Sequence, residues 1–229
     1  MENLYYSYII YLVSFLITLI AQIFVSSSYS RYKKILNSKD NTGYDTARKI
    51  LDKNNLEDVM ILETKANLTD HYHPKRKVIK LSTDIYHGSS IASAAVAAHE
   101  CGHAIQDKNK YIPMRIRSAI VPFVNICTRL GYLAILIGLI FNRAPLLEAG
   151  IILLLAMLVF QLITLPVEFN ASKRALNELE KEKILDKEEK GNARNMLVAA
   201  AFTYVASVLS TLLQIFRLVL ISSSSDRRR

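Results

Sequence analysis

The stretch Ala98-His99-Glu100-Cys101-Gly102-His103-Ala104 decides how the rest of the chain is interpreted. It has the form His-Glu-x-x-His. On an α-helix, residues four apart lie on one face, so His99 and His103 can bind a single cation. Glu100 then lies beside that cation, where its carboxylate can act as a general base toward water. The motif predicts a metal-dependent hydrolytic site.

The residues before the motif favour a helix. Ser89 to Ala98 is a run of small helix formers behind a serine suited to an N-cap, and the helix is predicted to end near residues 106–109. Two of the five histidines of the chain fall within the motif. The alternative is an ordinary helix with two solvated or buried histidines. The remaining motif cysteine, Cys101, is predicted to point away from the face that carries His99 and His103.

Charged residues are concentrated in a few segments of the chain, with long apolar runs between them. The 229 residues are 51% hydrophobic, and the pattern predicts an integral membrane protein. The first run follows Glu2, has no basic residue before it and no Ala-x-Ala site after it, so it is predicted to be a retained anchor. Four spans are predicted, at Leu4 to Val25, Ile120 to Asn142, Ala149 to Val167 and Asn195 to Phe216.

The net charge of +9 is distributed unevenly. Most Lys and Arg residues lie in segments 27–117 and 168–194, which four spans place on one side, and the positive-inside rule assigns that side to the cytoplasm. A fourth membrane crossing places the tail 226–229 on the opposite side, unless the last segment returns as a hairpin. Basic residues beside a bilayer attract anionic lipid, and nothing in the pattern indicates nucleic acid.

Two arginines fall within or near the apolar runs. Arg129 lies inside the second run and Arg217 lies near the end of the fourth. An ionisable residue at such depth is by default a candidate functional residue. The alternative, which we favour, is that both side chains snorkel to the membrane interface.

The segment before the motif helix predicts strands. Val59 to Leu62 is an apolar run, and Lys77 to Ser82 alternates charged and apolar residues, which is typical of a half-buried or edge strand. Leu68 to Pro74, between them, is predicted to be a turn with two histidines. An edge strand beside a metal helix can bind an extended peptide, although a purely structural hairpin fits the pattern equally well.

A catalytic zinc site needs a third protein ligand and an open position. Glu168 follows the third span on the same predicted side as the motif helix, at the start of a new helical stretch. We favour it over His71 and His73. We also favour it over five acids of the run 177–190, which are predicted to be solvated: Glu178, Glu180, Glu182, Glu188 and Glu189.

Four segments together resemble the YugP-type neutral zinc metallopeptidases of bacterial membranes and are more distantly similar to the HtpX and Ste24 peptidases, which are gluzincins. The segments are Leu68 to Tyr72, Ile79 to Ser82, Ala97 to Gln106, and Leu165 to Ser172 with Ala175 and Leu176.

The resemblance implies one zinc ion per chain, with His99, His103 and Glu168 as ligands and Glu100 as the general base. Ser172 stands where HtpX has an Asp that supports a zinc histidine, so His99 is supported differently here, with Ser172 itself a candidate. His73 stands where this family is expected to have Asp. His71 or Tyr72 is a candidate to donate a hydrogen bond to the tetrahedral oxyanion, a contact typically worth about 3 kcal/mol.

The predicted fold is mainly α: a polytopic membrane protein with about four transmembrane helices and a small zincin-like α+β catalytic region that contains a short edge strand or hairpin. Residues 1–28 form an anchor helix, 29–117 a cytoplasmic zincin-like region, 118–167 a transmembrane hairpin, 168–194 a cytoplasmic helix with the third ligand, and 195–229 a transmembrane helix and tail.

The predicted function is peptide-bond hydrolysis by a zinc metallopeptidase of the bacterial plasma membrane, with its active site at the cytoplasmic face. One alternative is a catalytically silent membrane scaffold with a retained zinc site, although structural sites use four ligands and often Cys. The other is a lipid-binding or transport protein, although the spans contain few polar residues. The predicted partners are a peptide or protein substrate and the lipid bilayer, and no pattern specifies a membrane-protein partner or a homo-oligomer.

Overall fold

A computed structural model describes residues 2–65 and 69–226 of the chain. Leu68 and Arg227 to Arg229, which entered the sequence predictions, lie outside the described residues. The described elements are helices α1 (Glu2–Tyr32), α2 (Gly43–Lys53), α3 (Thr83–His87), α4 (Ile91–Lys108), α5 (Ile112–Ile140), α6 (Ala144–Lys181) and α7 (Lys187–Asp226), and strands β1 (Met60–Thr64), β2 (His71–His73) and β3 (Val78–Ser82). The mainly α prediction is confirmed.

Four of these helices, α1, α5, α6 and α7, are long and apolar enough to cross a membrane, as the sequence predicts. Their large apolar side chains, such as Phe15, Phe123 and Ile152, are more than half exposed. Such surfaces suit contact with lipid chains. Helix α7 continues unbroken to Asp226, so a hairpin return of the last segment is wrong for the described residues.

The chain divides into two compact units. The first, here called the membrane unit, comprises Met1–Gln22, Ile116–Leu165 and Thr203–Arg229. The second, here called the motif unit, comprises Ile23–Arg115 and Pro166–Phe202. The five-segment division from the sequence concerns membrane crossing and stays a prediction.

The motif unit has its own apolar core. Helix α2 begins with a capping box, in which the Thr42 hydroxyl accepts from the Asp45 backbone N–H and the Asp45 carboxylate accepts from the Thr42 N–H. This capping box satisfies two backbone donors at the helix start. The core then joins α2, the sheet, α4 and the end of α6 through fully buried side chains that include Ile50, Leu51, Ile79, Leu81, Ile91 and Leu179.

The sheet corrects two sequence predictions. Its order is β1-β3-β2, so β3, which was predicted to be half-buried or at an edge, is the buried central strand. The segment predicted as a turn contributes strand β2, which pairs antiparallel with β3 and places Tyr72 opposite Ile79. A three-residue strand is too short for alternation to be recognised. The edge strand beside the motif helix is therefore β2.

Helix α4 confirms the predicted motif helix. Ser90 is its N-cap, with a hydroxyl that accepts from the Ser93 N–H at 3.1 Å, and Lys108 is its last residue. Helix α6, in contrast, continues through Pro166 to Lys181, so no new helix starts at Glu168. Proline removes one donor from the helix, a loss that long membrane helices tolerate.

Candidate metal centre

Three side chains from helices α4 and α6 meet inside the motif unit. Nε2 of His99 lies 3.2 Å from Oε2 of Glu168, and Nε2 of His103 lies 3.6 Å from the same oxygen. Ligand atoms about 2.1 Å from a tetrahedral zinc ion lie roughly 3.4 Å from one another. Both distances to Glu168 are therefore close to the spacing of a tetrahedral zinc site, and all three donors lie within 4.8 Å of one another.

The residues of this cluster are those of a catalytic zinc site rather than of a structural one. Two imidazoles and one carboxylate form the group, and no fourth His, Cys, Asp or Glu of residues 2–65 and 69–226 belongs to it. Structural sites close the ion with four protein ligands, whereas catalytic sites keep one position open. Glu168 is only 3% exposed and His103 8%, so the cluster is largely buried.

Each histidine has a hydrogen-bond partner on its other ring nitrogen. Nδ1 of His99 lies 3.2 Å from the Ser172 hydroxyl, and Nδ1 of His103 lies 3.0 Å from Oε1 of Gln106. Such partners fix the tautomer and the ring orientation of metal-binding histidines. Ser172 is thus placed where the sequence suggested support for His99. The role of Gln106 was not predicted from the sequence, although its spacing three residues after His103 puts it on the same helix face.

The side-chain amide of Gln106 has only one consistent orientation. Gln106 is fully buried, and its Nε2 donates to the Val167 carbonyl at 2.8 Å and to Oδ1 of Asn170 at 3.0 Å. Oε1 is therefore an acceptor, so His103 carries its proton on Nδ1 and presents Nε2 to the cluster. The buried amide also links the motif helix directly to helix α6.

The electrostatics of the cluster favour a positive charge. Burial of the imidazole opposes protonation of His103, but the carboxylates of Glu168 and Glu100 and the Gln106 hydrogen bond outweigh it and raise the pKa of His103 above its ordinary value. A cation at the same place gains from the same carboxylates. Because the metal displaces the proton, metal affinity is expected to fall as the pH is lowered.

We expect Gln106→Leu to weaken zinc binding by about 10-fold to 100-fold, the usual effect of losing the partner of a metal-binding histidine. Gln106→Glu restores the acceptor and is expected to retain more of the affinity than Gln106→Leu. Competition with a zinc-binding dye measures both variants. The thermal midpoint of each metal-free protein separates a loss of affinity from a loss of folding. Equal zinc affinity in Gln106→Leu and wild type would contradict the assignment.

The two ligand-bearing helices approach very closely at Gly102. A Cβ atom at this position would lie 2.5 Å from the backbone carbonyl oxygen of Ala171, which is closer than real side chains come. Gly102 occupies one of the two variable positions of the motif, and Ala171 lies between Glu168 and Ser172 in α6. The absence of a side chain at Gly102 thus determines how near α4 lies to the third ligand.

Glu100 is held by the free edge of strand β2. Its Oε2 accepts from the Tyr72 backbone N–H at 2.8 Å, and the residue is 7% exposed. The Tyr72 hydroxyl instead donates to Asp107 at 2.9 Å, and burial together with this hydrogen bond raises the pKa of Tyr72. Tyr72 therefore contacts the motif helix at two points, through its backbone and through its ring.

The remaining candidates lie outside the cluster. Nδ1 of His71 lies 2.6 Å from the Thr69 carbonyl, and Nδ1 of His73 accepts from the Arg76 N–H at 3.3 Å as the cap of a 3-10 turn. The rival acids of the run 177–190 are also outside it. Glu189 is buried rather than solvated, because its carboxylate accepts from the Ser38 N–H.

Cys101 is fully buried on the opposite face of α4, where its thiol contacts the Ala47 carbonyl at 3.6 Å. Burial raises the pKa of the Cys101 thiol well above its ordinary value. This residue therefore belongs to the core, as predicted from its position in the motif.

Four candidate spanning helices together with this His-His-Glu cluster are typical of a membrane protein with a preformed candidate metal site. The chain belongs to the family described as "Putative neutral zinc metallopeptidase", which it matches over residues 7–223. It is 43% identical over 201 residues to "Putative membrane protease YugP" of Bacillus subtilis, an overlap of 88% of this chain and 89% of that protein. No solved structure matches the chain significantly. The family resemblance is thus confirmed.

Proposed function

We propose that this chain is a zinc peptidase that hydrolyses peptide bonds by the mechanism of the His-Glu-x-x-His enzymes. The observation that carries the proposal is the convergence of His99, His103 and Glu168 on one point, with Glu100 beside it. The chain's family, described as zinc metallopeptidases, supports the choice of metal and of reaction. One ion per chain is the stoichiometry that a single cluster of this kind would hold.

In this mechanism His99, His103 and Glu168 hold the ion, with Ser172 and Gln106 fixing the two rings. Bound zinc supplies Lewis-acid polarisation of the scissile carbonyl and acidification of a water molecule. Glu100 accepts the proton from that water and later transfers it to the leaving amine. The Tyr72 N–H binds one Glu100 oxygen, which orients the carboxylate and leaves the other oxygen for the proton.

We propose that the substrate backbone binds along strand β2. It is the edge strand beside α4, and its free edge faces the motif helix through the contact between Tyr72 and Glu100. An extended peptide can pair by β-augmentation with the part of this edge that Glu100 does not use. His71 or Tyr72 would then donate to the oxyanion, and for Tyr72 this requires exchange of its hydrogen bond to Asp107.

The active site is proposed to face the cytoplasm of a bacterial cell. Four spans place segments 27–117 and 168–194 on one side, and these segments carry most of the basic residues. The positive-inside rule then assigns this side. The alternative of a silent scaffold with a retained zinc site is disfavoured by the open fourth position of the cluster.

The experiment that tests the proposal is metal analysis with cleavage of casein, on the full chain purified in detergent. We expect about one zinc per chain and cleavage that a chelator abolishes and zinc restores. Metal without zinc-dependent cleavage across varied unfolded substrates would favour the scaffold. Absence of metal would overturn the proposal.

A further inference from the structure

A row of polar side chains, here called the seam, lies between α1 and α7 inside the membrane unit. The hydroxyls of Ser14 and Ser210 lie 2.7 Å apart, and the Thr18 hydroxyl lies 3.0 Å from that of Ser210. Gln214 extends the seam by donating to Ser14 at 3.4 Å. Hydroxyl and amide groups of this kind join transmembrane helices to one another.

Arg217 lies at one end of this seam. Its Nε donates to the Ser7 hydroxyl at 3.0 Å, its Nη1 lies 3.4 Å from Oε1 of Gln214, and its guanidinium stacks over Tyr11 at 5.1 Å. All three of these partners, Ser7, Gln214 and Tyr11, are neutral. A guanidinium has five N–H donors, so three are unused by these contacts.

Arg217 lines a cavity with a volume of about 550 Å³. The cavity is also lined by residues of the seam and by mostly apolar residues that include Phe15, Ile135, Leu139, Leu154 and Met157. This volume falls within the range of small-molecule sites, roughly 300–1,000 Å³. The cavity therefore offers one cationic group at the edge of an apolar chamber.

The size of the cavity excludes a spanning helix as its occupant. One helical turn with its side chains is about 10 Å wide and 5.4 Å high, or roughly 420 Å³, and a span needs about 20 residues. The cavity thus holds little more than a single turn. A narrow flexible chain with an anionic end fits it better.

The position of Arg217 agrees with a membrane lipid. Arg217 lies in the last quarter of α7, which ends at Asp226. An arginine near the end of a spanning helix extends its long side chain toward the level of the lipid phosphates. The planar guanidinium group of Arg217 can donate two parallel hydrogen bonds to phosphate oxygens. Cationic pockets between transmembrane helices are typical sites for anionic lipid headgroups.

We propose that this cavity binds one anionic phospholipid, with the phosphate on the free donors of Arg217 and an acyl chain in the apolar chamber. The snorkelling that the sequence suggested for Arg217 is then directed to a specific ligand. The site is independent of the metal centre. The lipid phosphate would add a negative charge to the neutral partners that Arg217 has in Ser7, Gln214 and Tyr11.

The test is native mass spectrometry of the full chain in detergent, titrated with phosphatidylglycerol and with phosphatidylethanolamine of the same acyl chains. We expect wild type to bind phosphatidylglycerol about tenfold more tightly than phosphatidylethanolamine. Arg217→Gln should lose this preference, and Arg217→Lys should keep part of it. Arg129→Gln is the matched control, because Arg129 is an exposed arginine of α5 that does not line the cavity.

Two further experiments test separately whether the apolar chamber and the lipid headgroup contribute to binding. Met157→Phe, which reduces the chamber but keeps Arg217, should weaken phosphatidylglycerol binding. Free glycerol phosphate should not displace the lipid. If wild type binds both lipids equally, if Arg217→Gln keeps the preference, or if Arg129→Gln loses as much of it, the proposal is overturned. The wild-type lipid comparison decides the matter even if a variant fails to fold.

Discussion

Replacing Glu100 with Gln is expected to leave zinc bound and to reduce peptide cleavage by roughly 10²–10⁴-fold, the usual contribution of a general base. The amide oxygen of Gln can still accept from the Tyr72 N–H, so the side chain stays in place. It cannot take a proton from water at neutral pH. Zinc content and cleavage of casein or a fluorogenic peptide, measured on one preparation, check both halves of this prediction.

Glu180→Gln is the matched control for this prediction. It makes the same chemical change on an exposed carboxylate, whose partner is Lys190 rather than a residue of the metal centre. We expect it to cleave at the wild-type rate. Wild-type cleavage by Glu100→Gln would remove Glu100 from the mechanism, and loss of zinc in that variant would mean that Glu100 supports the metal instead.

Replacing Glu168 with Ala is expected to abolish stable zinc binding and, with it, cleavage. Glu168 is the one ligand that α6 contributes, and its Oε2 lies within 3.6 Å of both histidine nitrogens. Losing a direct ligand should exceed the roughly 10-fold to 100-fold cost of losing an outer hydrogen bond. Zinc competition and casein cleavage on the purified variant measure the two losses.

Two comparisons separate this loss from misfolding. Glu168→Gln has nearly the same volume but carries no charge, so it should also bind zinc weakly while keeping the packing of α6. The thermal midpoint of each variant without zinc should remain close to that of metal-free wild type. Normal zinc binding and normal cleavage by Glu168→Ala would place the third ligand elsewhere.

Local patterns allowed much of this structure to be predicted. The histidine pair, the serine cap of α4 and the four apolar helices all follow from spacing within a few turns of chain. The position of Glu168 depended on topology and on the family resemblance. Spacing alone does not bring together two residues that are 69 apart in sequence.

The features missed from the sequence depend on tertiary contacts. Strand β2 is recognisable only from its pairing with β3, since three residues carry no period. The role of Gln106 depends on a carbonyl 61 residues later in the chain. The continuity of α6 through Pro166 was not predicted, since the proline suggested a break. In each case the local signal was weak and the packing determined the outcome.

The close contact between Gly102 and Ala171 makes the metal centre an indicator of helix separation. Because only a missing side chain lets α4 and α6 touch, the distance from the two histidines to Glu168 depends directly on backbone contact between the helices. A motion that separates them would open the ligand set together with the core contacts between α4 and the end of α6. A bound zinc ion would therefore hold the two helices together.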